Sequence, residues 1–330
     1  MKQIAILGSG TWGTALALSL LKNGHIPTLW SPFPEELEAM RKTHTHPHLA
    51  GSHIPDSVIL EADIATALED KDMVVFAVPS VYVRATAEKA KPFIPKGALV
   101  VDVAKGIEEY TLLTMTEILC DVLGEDKRYV ALSGPTHAEE VAVGIPTAIV
   151  AASRDLAAAK EVQQTFMHAA FRVYVNEDIY GVELCGALKN VISLAAGISH
   201  GLGNGDNTIA AIITRGIAEM ARLGVALGCK TETFYGLAGI GDLVVTCYSH
   251  HSRNHACGKL LGEGVALPDA LKRVGMVVEG VNTLPAACAL AEKHKVELPI
   301  MFAVRDVVAG ALCAKEAMTA LMCRTPREEM

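Results

Sequence analysis

The chain has 330 residues, enough for two domains with separate cores, and it is 51% apolar, 20% charged and only 5% aromatic. That composition suits an α/β or helical enzyme and argues against a disulfide scaffold or a disordered chain. The formal net charge of −8 disfavours a nucleic-acid backbone as partner, so any anionic ligand must be gripped by a local positive cluster working against the global charge.

Residues 2–7 form a short apolar run that predicts the first strand and leaves no room for a basic and apolar leader. Glycines follow, then a helical pattern to Leu21, a stop at Asn23-Gly24 and a second strand at 27–30. Strand, glycine turn, helix, strand is how a parallel sheet opens. Further apolar runs at 73–78, 98–103, 129–132 and 147–151 lack alternation, as strands covered on both faces do. The intervals fit crossover helices, for example at 81–91 and 111–123. After about residue 180 helical periodicity takes over, at 181–200, 208–227, 230–235, 268–274, 283–294 and 301–309. Pro268, Pro285 and Pro299 fall where these helices are expected to start, because a missing N–H is harmless there. The division is placed at the lysine described next: 1–188 as a doubly wound α/β domain with a mostly parallel sheet, 189–330 as an all-α domain. No stretch of about 18 uncharged apolar residues occurs, so no membrane insertion is expected. The eight cysteines form no Cys-x-x-Cys pair and read as reduced small hydrophobes of a cytoplasmic protein.

Gly8-Ser9-Gly10-Thr11-Trp12-Gly13 is a G-x-G-x-x-G that ends the first strand and opens a helix. The first glycine makes the turn, the second lets the backbone approach a pyrophosphate, and the third permits close helix–sheet packing. The helix start adds N–H groups and a positive dipole end. In that context the motif predicts a Rossmann-like domain that binds a dinucleotide. The acid that usually meets the NAD ribose is missing: the second strand ends Leu29-Trp30-Ser31-Pro32-Phe33, and Glu35 and Glu36 come late. Ser31, Arg41 and Lys42 are the polar groups near that end, so a 2′-phosphate is not repelled.

Lys189 stands inside 182–198, which is apolar nearly all round, with Asn190 beside it. Such a helix is buried rather than half-solvated. A desolvated ammonium must find a partner or yield its proton, which suits acid/base chemistry. A stem-buried lysine snorkelling to water is the plainer alternative.

Other polar segments follow apolar strands. Lys105, in Asp102-Val-Ala-Lys-Gly, lies at the carboxyl edge of the sheet, where doubly wound folds bind ligands, or is merely solvated there. Ser133-Gly134-Pro135-Thr136-His137-Ala138 opens another helix, either as an anion site or as a capping turn. Asp242, framed by Gly239 and Gly241, reads first as a helix cap, with Thr246 one turn on. Ser252-Arg253-Asn254 offers an arginine suited to a phosphate, or a solvated loop. His44, His46 and His48, with His53 nearby, tempt a metal assignment. Pro47 makes the segment a loop, and no carboxylate or cysteine completes a ligand set, so no metal is assigned and no ligand follows. Arg215, Glu219 and Arg222 form a charged stripe expected on a solvated or subunit-facing helix.

The order G-S-G-T-W-G, V-P-S (78–80), K-G-I-E (105–108), S-G-P-T (133–136), L-K-N-V (188–191), G-D-L (241–243) and S-R-N (252–254) resembles bacterial NAD(P)-dependent glycerol-3-phosphate dehydrogenase over nearly the whole chain. The resemblance implies an NAD(P)H-dependent oxidoreductase that interconverts dihydroxyacetone phosphate and sn-glycerol 3-phosphate, the latter for phospholipid synthesis. It further implies a small phosphorylated substrate and a cytoplasmic homodimer. By the same resemblance Lys189 is the proton donor and acceptor, Lys105 a second lysine near substrate and nicotinamide, and Asp242 the acid that organises them. Substrate contacts are implied for Gly134, Thr136, Ala138, Asn190, Thr246, Ser252, Arg253 and Asn254. Cofactor contacts are implied for Gly8 to Gly13, including Ser9, Gly10, Thr11 and Trp12, and for Lys105, Ala138, Arg253, Val277 and Glu279. At Pro32 the family can carry a polar residue that helps hold the cofactor, a departure that bears on the adenosine end. A related 3-hydroxyacid or 6-phosphogluconate type dehydrogenase, and a non-catalytic dinucleotide sensor needing neither lysine, are the other readings of the pattern.

Overall fold

The computed structural model describes residues 1–326 and 328–329, and the chain divides into two compact units. One comprises Met1–Lys105 and Leu113–Glu183; the other comprises Gly106–Leu112 and Leu184–Met330. The helical unit thus takes in 106–112, which chain order places in the first domain.

The first unit contains, in order, β1 (Gln3–Leu7), α1 (Thr11–Lys22), β2 (Ile26–Trp30), α2 (Pro34–Thr43), β3 (Ile59–Glu61), α3 (Ile64–Leu68), β4 (Met73–Phe76) and α4 (Val83–Ala90). It continues with β5 (Leu99–Asp102), α5 (Met115–Leu123), β6 (Arg128–Ser133), α6 (Ala138–Val143), β7 (Thr147–Ala152), α7 (Leu156–Phe166) and β8 (Phe171–Asn176). The eight strands form one sheet in the order β3-β2-β1-β4-β5-β6-β7-β8, parallel throughout except where β6 meets β7.

The non-alternating apolar runs are explained by two cores. Ile4, Ile6, Met73, Val75, Leu99 and Val101 point into one, with Leu16 and Leu20 of α1 and Val162 of α7. Ala5, Leu7, Val74, Phe76 and Val100 point into the other, with Ala87 of α4 and Leu119 of α5. Successive side chains leave a strand on opposite faces, so both faces must be apolar when both are covered. Leu7 is in register with Trp30 and with Phe76, and Phe76 with Asp102, so β1, β2, β4 and β5 end along one edge. The glycine turn and the segment leading to Lys105 leave from that edge.

Two strands are not apparent from apolar runs alone. β3 has three residues and lies at the edge of the sheet. β8 alternates, with Phe171 and Val173 buried and Arg172 and Tyr174 exposed, as an edge strand covered on one face does.

α8 (Ile179–Gly201) begins in the first unit and runs into the second, which continues with α9 (Asp206–Ala226), α10 (Thr231–Phe234), α11 (Asp242–Tyr248) and α12 (Arg253–Gly262). α13 (Leu267–Val274), α14 (Glu279–His294), α15 (Pro299–Val308) and α16 (Ala314–Met322) follow. Among the described residues α8 is long and apolar enough to cross a membrane, but it is wholly buried inside the protein, so its apolarity serves a core. α8 and α12 cross at backbone contact. A Cβ on Gly197 would sit 2.2 Å from the His255 carbonyl oxygen, and one on Gly258 would sit 2.2 Å from that of Leu194. Only glycine permits that approach, and a methyl at either position would force the helices apart.

Pro268 and Pro299 lie in the first turns of α13 and α15, as expected. Pro285 does not: α14 starts at Glu279, and the proline sits inside it. It removes one interior N–H, a loss the surrounding packing of Leu284, Ala286 and Ala287 tolerates. The Arg215–Glu219–Arg222 stripe is also not simply a solvated face. Glu219 is 2% exposed and accepts from the amides of Ile300 (2.8 Å) and Met301 (3.3 Å), capping α15 from α9.

Burial raises the Glu219 carboxyl to about 7, although the two amides pull the other way. A folded-state value above the unfolded 4.5 means that the native state holds a proton which the unfolded chain has lost. The contribution of Glu219 to stability therefore declines as pH rises from 4.5 through 7 and levels off above that. Melting curves across that range should show a shallower decline for Glu219→Gln than for the wild type. An unchanged slope would contradict the assignment.

Candidate active site

The glycine turn follows β1 directly. Gly8 adopts φ +126°, and a Cβ there would meet the Ala77 carbonyl oxygen at 2.6 Å. A Cβ on Gly13 would lie 2.0 Å from the Gly8 carbonyl oxygen, so the third glycine seats α1 on the turn. Gly10 differs: it has ordinary extended geometry (φ −63°, ψ 177°), and a Cβ would meet nothing within 4 Å. The fold itself does not need a glycine there, and the open position is where a phosphate group would lie. Gly10 is the N-cap of α1 and offers no side chain to the first-turn amides, Thr11 and Trp12 included, and no acid occupies that turn. Such a helix start suits an anion, and the donor set fits the pyrophosphate of a dinucleotide.

At the adenosine end, Ser31 is 1% exposed and its hydroxyl accepts from the Phe33 amide at 3.3 Å. Arg41 and Lys42 both pair with Glu38. The end of β2 therefore presents neither a carboxylate nor an arginine of its own.

In the same unit Lys105 donates to the Gly134 carbonyl at 3.0 Å, and the Thr136 hydroxyl donates to that same oxygen at 3.1 Å. Gly134 is confined by β7, since a Cβ would lie 3.1 Å from the Cα of Ile149. Ala138 opens α6, a six-residue helix with Glu139 and Glu140 in its first turn. Those carboxylates disfavour a phosphate at the start of this helix.

In the helical unit Lys189 is 6% exposed. Its ammonium donates to Asp242 Oδ1 at 2.8 Å and to Thr246 Oγ1 at 2.6 Å. Thr246 in turn donates to the Asp242 backbone oxygen, so its hydroxyl is oriented to accept from lysine. The snorkelling alternative is excluded. Asp242 opens α11, after a turn of π-helix at Leu237–Gly241, but its carboxylate spans to α8 instead of capping its own helix. Burial pushes the nearby Cys247 thiol up to about 12, which removes it as a nucleophile.

Asn190, Asn254 and the start of α14 are joined by an amide relay. The Gly280 amide donates to Asn254 Oδ1 (2.8 Å), Asn254 Nδ2 donates to Asn190 Oδ1 (2.9 Å), and Asn190 Nδ2 donates to the Gly186 carbonyl (3.1 Å). Ser252 is the N-cap of α12, its hydroxyl accepting from the His255 amide. Arg253, the first residue of that helix, is exposed, and no acid occupies the first turn. The start of this ten-residue helix combines an arginine with a first turn free of acid, features that suit an anion better than the start of α6 does. Val277 and Glu279 are half-buried beside the relay, at the approach to and start of α14.

One residue of the cluster escapes motif reading. Ser193 donates to the Thr246 carbonyl (3.1 Å) and lies 3.1 Å from the Ser252 hydroxyl, tying α8 to α11 and α12. The available signal is spacing: Lys189, Asn190 and Ser193 stand at i, i+1 and i+4, a polar stripe on an otherwise apolar helix. The histidine loop gathers no metal set among the described residues, where no group of three ligating side chains occurs.

Residues 3–159 match the profile of the NAD-dependent glycerol-3-phosphate dehydrogenase N-terminus, and residues 178–319 match that of its C-terminus. Glycerol-3-phosphate dehydrogenase (NAD(P)+) 2 of Lactobacillus delbrueckii subsp. bulgaricus is 53% identical over 100% of this chain and 99% of its own length. A relative from Agathobacter rectalis, glycerol-3-phosphate dehydrogenase (NAD(P)+), is 47% identical over 100% of this chain and 98% of its own. The crystal structure of glycerol-3-phosphate dehydrogenase from Coxiella burnetii superposes with a TM-score of 0.93 at 37% identity, covering 98% of this chain and 99% of that one. The chain belongs to the NAD(P)-dependent glycerol-3-phosphate dehydrogenase family. The hydroxyacid, 6-phosphogluconate and sensor alternatives are not favoured.

The second and third glycines of the motif separate binding from folding. Gly10→Ala should leave the thermal midpoint nearly unchanged while weakening NADPH binding about tenfold or more, because its methyl enters the open position. Gly13→Ala should lower the midpoint, because its methyl meets backbone. Calorimetric binding and melting curves of the two variants check this, and a Gly10→Ala protein that binds NADPH normally would contradict it.

Proposed function

We infer that this chain reduces dihydroxyacetone phosphate to sn-glycerol 3-phosphate with NAD(P)H, and runs the reverse oxidation, with Lys189 as the general acid and base. The supporting observation is the lysine itself: a buried ammonium paired with the Asp242 carboxylate and oriented by the Thr246 hydroxyl. NAD(P)H, bound through the glycine turn, supplies the hydride. Lys189 gives a proton to the carbonyl oxygen as the carbon gains that hydride, so ketone, hydride and proton together make the secondary alcohol. Its positive charge also stabilises the alkoxide as it develops, an effect strengthened where water is excluded. Asp242 holds the ammonium in place, and Thr246 fixes its direction.

Lys105 is assigned to the substrate and nicotinamide side, steadied by the Gly134 carbonyl. Arg253 and the amides of α12, with Asn254, are assigned to the substrate phosphate. Holding a remote phosphate lets its binding energy position the reacting carbon. As in the family, the working form is read as a cytoplasmic homodimer that supplies glycerol 3-phosphate for phospholipids.

Initial rates with dihydroxyacetone phosphate and either NADH or NADPH test the assignment. The wild type should turn over this ketone and leave 3-hydroxyacids untouched. Lys189→Ala should lose about 1,000-fold or more in kcat, since proton transfer and charge stabilisation go together, while calorimetry still shows NADPH binding. A variant that keeps its kcat would contradict the role of Lys189, and one that loses nucleotide binding along with activity would make it a structural residue.

A further inference from the structure

Lys189 and Ser193 stand one turn apart on α8, about 6 Å along its axis and on one face. Both are buried, Ser193 completely. The mechanism uses the lysine and leaves the serine without a task. The Ser193 hydroxyl donates to the Thr246 carbonyl at 3.1 Å, in the last turn of α11, where carbonyls run out of amides further along the helix. It also lies 3.1 Å from the Ser252 hydroxyl. A carbonyl can only accept, and Ser193 has one hydroxyl proton, so that proton goes to Thr246. The donor in the second bond is therefore Ser252. The Ser252 oxygen in turn accepts from the His255 amide at 3.2 Å, as the N-cap of α12.

The chain of bonds thus runs one way, from the Ser252 hydroxyl through Ser193 to the end of α11. The Ser252 proton is committed to Ser193, and none is left for a phosphate oxygen. What Ser252 gains is a fixed position beside Arg253, the first residue of α12. Lys189 keeps its own bonds to Asp242 and to the Thr246 hydroxyl, which is turned by the Asp242 backbone oxygen, and none of these passes through Ser193. Ser193 therefore acts on the separation of the two groups and not on the aim of the lysine. Asn190 and Asn254 make a second link between the same two helices at 2.9 Å. One link leaves a pivot; two fix both position and tilt.

We propose that Ser193 is a positioning residue that sets the spacing between the Lys189 ammonium and the phosphate site at the start of α12. It acts through Ser252 and Thr246, not by contact with the substrate. Its effect belongs to substrates that carry a phosphate, because only these engage both ends of the site at once. The inference rests on the assignment of Lys189 and of the Arg253 helix start to the two ends of the substrate.

Ser193→Ala deletes the hydroxyl with little change in volume. Steady-state rates are measured at saturating NADPH with dihydroxyacetone phosphate and with dihydroxyacetone, which lacks the phosphate. The expected result is a kcat/KM lowered about five- to tenfold for the phosphorylated ketone, the size of one net hydrogen bond. For dihydroxyacetone it should stay within about twofold of the wild type. Ser252→Gly removes the donor of the same bond and leaves a residue tolerated at an N-cap. Adding Ser193→Ala to it should cost less than about twofold more, since the shared bond is already gone. Should Ser193→Ala fail to fold, Ser252→Gly carries the comparison of the two ketones with the same expected loss. An unchanged ratio of the two kcat/KM values in Ser193→Ala would overturn the proposal, whether both fell together or neither did. Full additivity in the double variant would overturn it too. A wild type with no preference for the phosphorylated ketone would instead overturn the assignment of α12 to the phosphate, and the proposal with it.

Discussion

A charged lysine held out of water dominates the helical unit. Inside α8 the Lys189 ammonium is met by Asp242 at 2.8 Å and by Thr246 at 2.6 Å, partners that offset its loss of water. Removing one partner of a buried pair typically costs about 3–5 kcal/mol, since the other charge is left uncompensated. A pair of that kind is a poor way to gain stability, because an apolar core of equal volume does as well. Its presence in a long, apolar and wholly buried helix supports the reading of Lys189 as a group used in chemistry, and proton transfer to a carbonyl oxygen is chemistry an oriented ammonium can supply.

The surrounding helices are arranged to keep that charge in place. Gly197 and Gly258 let α8 and α12 approach to backbone contact, which sets the start of α12, with Ser252, Arg253 and Asn254, against the same helix that carries Lys189. Ser193 then bridges α8 to α11 and α12, and the Asn190–Asn254 relay extends the network to Gly280 at the head of α14. Lys189, Asn190, Ser193, Asp242, Thr246, Ser252 and Asn254 are all buried and hydrogen-bonded, the condition under which a polar interior is rigid instead of costly. In the sheet unit the same economy operates at the carboxyl edge, where register aligns the ends of β1, β2, β4 and β5.

Most of the architecture was legible in the order of residues. The unbroken apolar strands announced a sheet covered on both faces, and the glycine fingerprint after β1 carried its function in its spacing. Lys189 was legible as an anomaly, a cation where helical periodicity demands apolar side chains. What resisted reading was partnership across the chain. Asp242 looks like a local cap from its glycine neighbours, and only folding shows that its carboxylate serves a lysine 53 positions away. Glu219 was hidden in a charged stripe for the same reason, its partners being the first amides of a distant helix. Pro285 misled because proline marks helix starts by statistics, whereas tertiary packing can seat it within a helix. β8 was missed because an edge strand alternates, and its polar half dilutes the apolar signal.

The most direct measurement is chemical rescue of Lys189→Ala by small alkylammonium ions during reduction of dihydroxyacetone phosphate. Truncation removes the ammonium and its stem beside Asp242 and Thr246, and a methylammonium or ethylammonium ion is smaller than the group removed and carries the same N–H donor. Turnover should rise with the concentration of the ion, saturate, and depend on the acidity of the amine, since the added group would carry the transferred proton. A variant that binds NADPH and ketone yet gains nothing from any amine, or gains equally from a quaternary ion with no proton to give, would contradict the central role of the buried ammonium.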